Sequence, residues 1–161
     1  MQKYDRICAN PDITQGLEKY NVQDGSFTDV DYASIQRTNW PPLVHINRIS
    51  DFVFAYTNPK NRYYQNEDLY NKIEKGLEYW HERNPWCHNW WYNQIAEPQA
   101  LGVLLIQMRT GKKQLPHELE NKLLERIKRM VGIRPNGQEP TVQTLPSTGF
   151  IAHAFLKMPK R

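Results

Sequence analysis

The residues of this chain best suited to contacting a ligand are concentrated in one segment, residues 79–93, and just after it. Sugar rings present flat C–H faces and hydroxyl edges, which indole rings and planar amides match by stacking and by bidentate hydrogen bonds. This composition predicts carbohydrate binding. The side chains concerned, with two histidines among them, are Trp80, His81, Trp86, His88, Asn89, Trp90, Trp91, Tyr92, Asn93 and Gln94.

Trp90 and Trp91 are sequence neighbours, and this adjacency bears on whether they bind or pack. Successive residues of an α-helix point about 100° apart, so the two indole rings cannot both enter the same core. Packing of all the tryptophans within the core or between helices remains an alternative. Stacking on nucleic-acid bases is disfavoured, because few Lys or Arg residues are interleaved with the aromatic ones.

A hydrolytic reaction on a sugar would need two carboxylates that face it. Glu78 and Glu97 are the acids near the aromatic segment, but the pattern places Glu78 on a solvated helix face and Glu97 in a loop or cap on a different helix. An α/α-toroid glycoside hydrolase is therefore the weaker alternative. Cys8 and Cys87 lack metal-ligand spacing, so we expect no metal and no cofactor. We expect two buried thiols, with a disulfide formed in an oxidising compartment as the alternative.

The size of the chain, 161 residues and 19.1 kDa, suits one domain. Its 21 Lys and Arg residues against 17 Asp and Glu residues give a net charge of +4, a mild bias toward anionic partners. The mean hydropathy is -0.78 and no apolar run is long enough to cross a membrane. Residues 1–30 contain no signal-peptide pattern.

The elements that must position these residues are helices. Apolar residues recur every three or four positions after Trp40, and no segment has the alternation of a strand. Asn66 is a candidate N-cap, and the pattern before Trp40 predicts one short helix within residues 3–20 and a turn at 24–26. The fold class is therefore all-α, with successive helices packed as antiparallel hairpins. The four stronger helices are predicted near residues 43–56, 66–80, 89–109 and 116–131.

The third of these helices is apolar or aromatic around most of its circumference, which indicates burial on more than one side. Pro98 lies inside it and predicts a kink or a short break. Because four or five helices supply little apolar surface to cover it, we expect self-association or further domains. Residues 1–134 are predicted to form the helical domain, and residues 135–161 a Pro-rich loop with a basic C-terminal tail.

One ordered series of motifs runs through roughly residues 20–131. It reads Asp24-Gly25-Ser26-Phe27, Thr38-Asn39-Trp40-Pro41, His45, Arg48, Tyr63-Tyr64, Gly76-Leu77-Glu78-Tyr79-Trp80, Asn89-Trp90-Trp91-Tyr92-Asn93-Gln94-Ile95 and Pro98-Gln99-Ala100-Leu101-Gly102. In order and spacing the series resembles the N-terminal helical region of polysaccharide lyase family 8, the chondroitin, hyaluronate and xanthan lyases. The double tryptophan is its most specific part.

The resemblance implies part of an incomplete α/α toroid in periplasmic or extracellular enzymes that act on acidic polysaccharides. They cleave by β-elimination: an Asn neutralises the uronate carboxylate, which acidifies the C5 proton, and Tyr and His serve as base and acid, with an Arg nearby. Acidic polysaccharide is therefore the expected partner, with nucleic acid and membrane excluded. His45 either lines the cleft or is a satisfied buried histidine. The residues expected to contact the polymer are Asn89, Trp90, Trp91, Asn93 and Arg48.

The departures from the family pattern concern catalysis. Tyr92-Asn93-Gln94 stands where relatives carry His followed by Asn-Glu, and Thr148-Gly149-Phe150-Ile151 lacks the asparagine of a Thr-Gly-Ala-Asn motif. His153 matches no catalytic position, and no later His, Tyr and Arg segment is present. We therefore expect an N-terminal piece of a lyase, a truncated product or an excised part, that has no catalytic residues and is inactive alone. A free-standing glycan-binding or interaction module is the alternative.

Overall fold

The computed structural model describes residues 10–128, which form five α-helices and one π-helical segment. This part of the chain contains no strand beyond an isolated bridge between Tyr20 and Phe27, so the all-α prediction is confirmed. Cys8, His153 and the predicted domain boundary at residue 134 lie outside the described residues. The elements are α1 Thr14–Lys19, α2 Leu43–Thr57, α3 Glu67–Arg83, the π-helical segment Tyr92–Ala96, α4 Glu97–Met108 and α5 His117–Ile127.

The ends of α2 and α3 follow from local sequence. Pro41 and Pro42 precede α2, where a missing N–H removes no helical hydrogen bond. The Asn66 side chain accepts a hydrogen bond from the Leu69 N–H at 2.8 Å, which confirms the predicted N-cap of α3. At the other end Asn84 adopts the left-handed conformation, with φ 46°, and turns the chain out of the helix.

The turn at 24–26 lies directly on the backbone of α3. Gly25 has a φ of 85°, and a Cβ at this position would lie 2.6 Å from the carbonyl oxygen of Lys75. A Cβ at Gly76 would lie 2.5 Å from Cδ1 of Ile49 on α2. Glycine at both positions therefore lets the turn, α3 and α2 approach more closely than any side chain would allow.

The central helix is α4, which packs on α2 on one side and on α5 on the other. Leu101, Leu104 and Leu105 are fully buried, as the apolar circumference of this helix predicts. Among residues 10–128 no helix combines the length and the apolar character needed to cross a bilayer.

The irregularity predicted at Pro98 lies directly before this residue, in the π-helical turn Tyr92–Ala96. Proline has no N–H, and in a regular helix its ring would clash with the carbonyl group of Gln94. A wider turn places that carbonyl differently, so the helix continues past Pro98 without ending. The same wide turn carries Asn93, whose role is described below.

Candidate functional site

Two loops form the candidate site, and the second carries Asn89, Trp90 and Trp91, three of the five residues predicted to contact the polymer. One loop, residues 34–40, precedes α2. The other, residues 84–91, connects α3 to the π-helical segment, and its last two residues are already helical. We call Trp86, Asn89, Trp90 and Trp91 the aromatic surface. Trp86 is 50% exposed and Trp91 43% exposed, whereas Asn89 and Trp90 are half-buried. Trp80 of the same sequence segment is fully buried, so the tertiary structure separates one core tryptophan from three at the surface.

Trp40 supports the aromatic surface from the interior. It is buried, and its indole N–H donates to the Ser34 carbonyl oxygen at 2.8 Å, which closes the loop 34–40. Its ring centre lies 6.2 Å from that of Trp80 and 5.7 Å from that of Tyr92. The ring of Tyr92 in turn meets that of Trp91 edge to face, with centres 5.2 Å apart. A continuous series of aromatic rings therefore runs from the core to the exposed indole.

Asn93 holds the loop 84–91 from inside. Its side chain is 1% exposed; Oδ1 accepts from the Cys87 N–H at 3.0 Å and Nδ2 donates to the Cys87 carbonyl oxygen at 2.6 Å. Because one backbone partner is a donor and the other an acceptor, the orientation of the amide is determined. A polymer on the aromatic surface would meet Asn89 and Trp91 first. In this conformation Asn93 positions the loop 84–91 and does not make the polymer contact that was predicted for it.

Asn89 connects the two loops and starts the turn that carries the tryptophans. Its Oδ1 accepts from the Trp91 N–H at 3.0 Å, and its Nδ2 donates to the Arg37 carbonyl oxygen at 2.9 Å. The thiol of Cys87, which is buried and free as predicted, donates to the Gln36 carbonyl oxygen at 2.8 Å. The backbone of residues 36 and 37 is thus hydrogen-bonded to the loop that presents the indole rings.

Arg48 lies on α2 and forms a bidentate ion pair with Asp29, at 2.6 and 2.7 Å. Its guanidinium also lies 5.0 Å from the centre of the Phe27 ring, and its side chain is 18% exposed. The hydrogen bond from Arg48 lowers the pKa of the Asp29 carboxyl group. The donors of Arg48 are therefore directed at Asp29, a partner 19 positions away that the sequence pattern did not indicate.

His45 is a satisfied buried histidine, the second of the two interpretations given above. Its Nε2 donates to the Gly76 carbonyl oxygen at 2.9 Å, and its Nδ1 accepts from the Tyr32 hydroxyl at 2.8 Å. The Tyr32 oxygen itself accepts from the Phe27 N–H at 2.9 Å, so the hydroxyl proton is left for His45. Burial lowers the pKa of His45 to about 4, which keeps the ring neutral near pH 7.

The two acids near the aromatic segment do not face a common sugar. Glu97, expected in a loop or cap, is the first residue of α4 but is fully buried. Its Oε1 accepts from the indole N–H of Trp80 at 2.9 Å and forms an ion pair with Arg126 of α5. Glu78 is exposed on α3, as predicted. This arrangement gives no support to the glycoside hydrolase alternative.

Two cavities in the described part of the chain lie away from the aromatic surface. One of about 290 Å³ is lined by residues 10–13 and 61–63, and one of about 250 Å³ lies between α3 and α5. Within residues 10–128 no three His, Cys, Asp or Glu side chains come together as a metal site would require.

One exposed basic residue beside the aromatic surface was missed by the sequence analysis. Arg37 is exposed, and its carbonyl oxygen is the one that accepts from Asn89. Arg37 belongs to none of the sequence motifs described for this chain. The sequence feature that could have indicated Arg37 is the stretch of residues 32–50, which contains no Asp or Glu.

Comparisons with known proteins agree on one group. Residues 2–149 match the family described as "Polysaccharide lyase family 8, N terminal alpha-helical domain". The chain is 43% identical over 106 residues to chondroitinase-AC of Pedobacter heparinus, which covers 66% of this chain and 15% of that protein. A solved structure of chondroitinase AC lyase, from work on enzyme–oligosaccharide complexes, matches with a TM-score of 0.70 and 37% identity over 80% of this chain and 18% of its own. The chain thus spans less than a fifth of either relative.

Proposed function

The chain belongs to polysaccharide lyase family 8, and we propose that it holds an acidic polysaccharide on its aromatic surface without cleaving it. The observation that carries this proposal is the exposure of Trp86 and Trp91, at 50% and 43%, on a loop whose backbone is hydrogen-bonded from within. Exposed indole rings cost hydrophobic free energy, so two of them within six residues of one loop favour a ligand-binding role.

The chemistry of the surface fits a sugar polymer. The exposed face of Trp91 offers an apolar plane for the C–H face of a pyranose ring, and Trp86 offers a second one. The loop is held by Asn93 and Asn89, so little conformational entropy is lost when a ligand binds. We place this binding in the periplasm or outside the cell, where polymers of this kind occur.

Cleavage needs more than this surface provides. Removal of the C5 proton of a uronate requires a group that neutralises the carboxylate, a base and an acid. Within residues 10–128, Asn89 and Asn93 use their amides inside the protein, and His45 is buried and neutral. We therefore assign binding to this chain and place no catalytic set for cleavage within residues 10–128.

The test is binding of an unsulfated chondroitin octasaccharide by isothermal titration calorimetry, with the parent chain and the Trp91→Ala variant. The parent should bind saturably, and the variant should bind about tenfold more weakly, because loss of a stacked aromatic ring is worth about 1.4 kcal/mol. Binding of the parent should weaken as salt is raised, since salt screens the charges of the polymer.

Tyr64→Ala is the matched control. Tyr64 is also exposed, at 41%, but lies on the loop at the other end of α3, whose 17 residues span about 25 Å. This variant should bind like the parent. Equal affinities of the parent and the Trp91→Ala variant would show that the indole is packing and would contradict the proposal.

A further inference from the structure

We propose that Arg37 is the residue that selects an acidic polymer on the aromatic surface, by pairing with the carboxylate of a sugar bound there. This inference rests on the proposed function, because it assumes a polysaccharide on Trp86 and Trp91. Arg48, the arginine expected in this role from the sequence, has its guanidinium paired with Asp29.

The backbone places Arg37 beside the ligand surface. The carbonyl oxygen of Arg37 lies 2.9 Å from Nδ2 of Asn89, the residue directly before Trp90. The preceding carbonyl oxygen, of Gln36, lies 2.8 Å from the thiol of Cys87. Two hydrogen bonds thus hold the backbone of Arg37 against the loop 84–91, while the side chain of this residue is exposed.

The charges of the two loops point to an anionic ligand. No Asp or Glu occurs in residues 32–50 or 83–96, and the exposed charged or titratable side chains there are Arg37, Arg83 and His88. A surface built from these loops attracts carboxylates and has no acid of its own to repel them. The planar guanidinium of arginine also matches the geometry of a carboxylate in a bidentate pair.

The three exposed side chains differ in position. Arg83 is the last residue of α3, and His88 precedes Asn89 in the loop. Within residues 10–128, Arg37 is the one of the three whose backbone accepts a hydrogen bond from Asn89, the residue that caps the Trp91 turn. We therefore assign the selection of an acidic polymer to Arg37.

The experiment compares the Arg37→Gln variant with the parent, using two probes: the unsulfated chondroitin octasaccharide and the same oligosaccharide with its carboxyl groups reduced to alcohols. The substitution should weaken binding of the charged probe about tenfold, the value expected for loss of one charge-assisted pair. It should leave binding of the reduced probe within about twofold. Because Arg37 is exposed, the melting temperature should be unchanged.

Lys60→Gln is the control for net charge. It also removes one positive charge, but from the exposed loop at the other end of α3, and should leave both affinities as in the parent. An equal loss of affinity for the charged probe in the Arg37→Gln and Lys60→Gln variants would overturn the inference. The loss would then come from the net charge of the chain and not from a contact with Arg37. Equal loss for the charged and the reduced probe in Arg37→Gln would overturn it too.

Failure of this inference is distinguishable from failure of the proposed function. If Trp91→Ala loses binding while Arg37→Gln binds the charged probe like the parent, the aromatic surface stands and Arg37 is not its selective residue. If the parent binds neither probe, both proposals are overturned.

Discussion

Asn89 uses both ends of its side-chain amide inside the protein, one for the Trp91 N–H and one for the Arg37 carbonyl oxygen. Asn93 does the same for Cys87. Residue type alone suggested that these amides meet sugar hydroxyls, and the structure shows both of them hydrogen-bonded to backbone groups of the two loops. At the scale of single residues, the proposed binding uses three exposed side chains, the indole rings of Trp86 and Trp91 and the guanidinium of Arg37.

His45 provides a prediction at this scale. Its native pKa of about 4 lies below the unfolded value of 6.5, so below pH 6.5 the unfolded chain binds a proton that the native chain does not. The contribution of the neutral His45 ring to the free energy of unfolding is therefore fully present above pH 6.5. It is lost as the pH falls toward 4, by up to about 3 kcal/mol. Urea unfolding at pH 7, 5.5 and 4 should show this loss in the parent and a much smaller one in His45→Gln.

His117→Gln is the matched control, because His117 is exposed at the start of α5. This variant should keep the pH dependence of the parent. If the profiles of the parent and His45→Gln run parallel from pH 7 to 4, the buried neutral ring is not the source of the acid sensitivity.

At the scale of elements, the start of α4 is where three helices are joined. Glu97 of α4 accepts the indole N–H of Trp80 from α3 and pairs with Arg126 from α5, and all three side chains are buried. Arg126 also donates to the side chain of Asn84, the residue that ends α3. The helices on either side of the loop 84–91 are therefore joined by a charged pair in the interior as well as by apolar packing.

Breaking this pair should be strongly destabilising. Glu97→Met and Arg126→Met should each lower the free energy of unfolding by about 3–5 kcal/mol, because each leaves one buried charge uncompensated. The double variant Glu97→Met with Arg126→Met should lose less than the sum of the single losses, since no charge remains. Urea titrations of the four proteins form a double-mutant cycle that measures this coupling.

The exposed pair of Glu118 and Lys122 on α5 is the control. Lys122→Met should leave the urea midpoint unchanged, because a pair in water contributes little. Additive losses at Glu97 and Arg126 would mean that the two side chains are not coupled.

At the scale of the whole molecule, the described helices present different surfaces at the two ends of α3. The loop 84–91 carries Trp86, Trp90 and Trp91 at one end, and the loop 58–66 carries Lys60 and Tyr64 at the other. The chain spans 15% of the chondroitinase-AC sequence and 18% of the solved chain that it matches.

We predict that the 161-residue chain produces no unsaturated sugar from chondroitin, hyaluronan or xanthan. The measurement is the ultraviolet absorbance of the unsaturated product over long incubation. An active member of the family in the same buffer serves as the positive control. Clear turnover by this chain would place a catalytic set within it and would contradict the assignment of binding alone.

The amino-acid sequence by itself determined the helical class and several of the helix ends. The N-cap at Asn66, the glycine turn at 24–26 and the apolar spacing of α2 are properties of neighbouring residues, and each has its counterpart in the structure. The motif order and the double tryptophan were likewise sufficient for the family. These features depend on interactions between residues a few positions apart, so the order of residue types along the chain indicates them directly.

Only the tertiary structure decided which polar groups are open to a ligand. The partners of Arg48, His45 and Glu97 lie 19, 31 and 29 positions away, on other elements. The same holds for Asn89, whose partner Arg37 is 52 positions earlier. A side chain is exposed or engaged according to what the fold packs against it, and the spacing of residues along the chain carries no information on that.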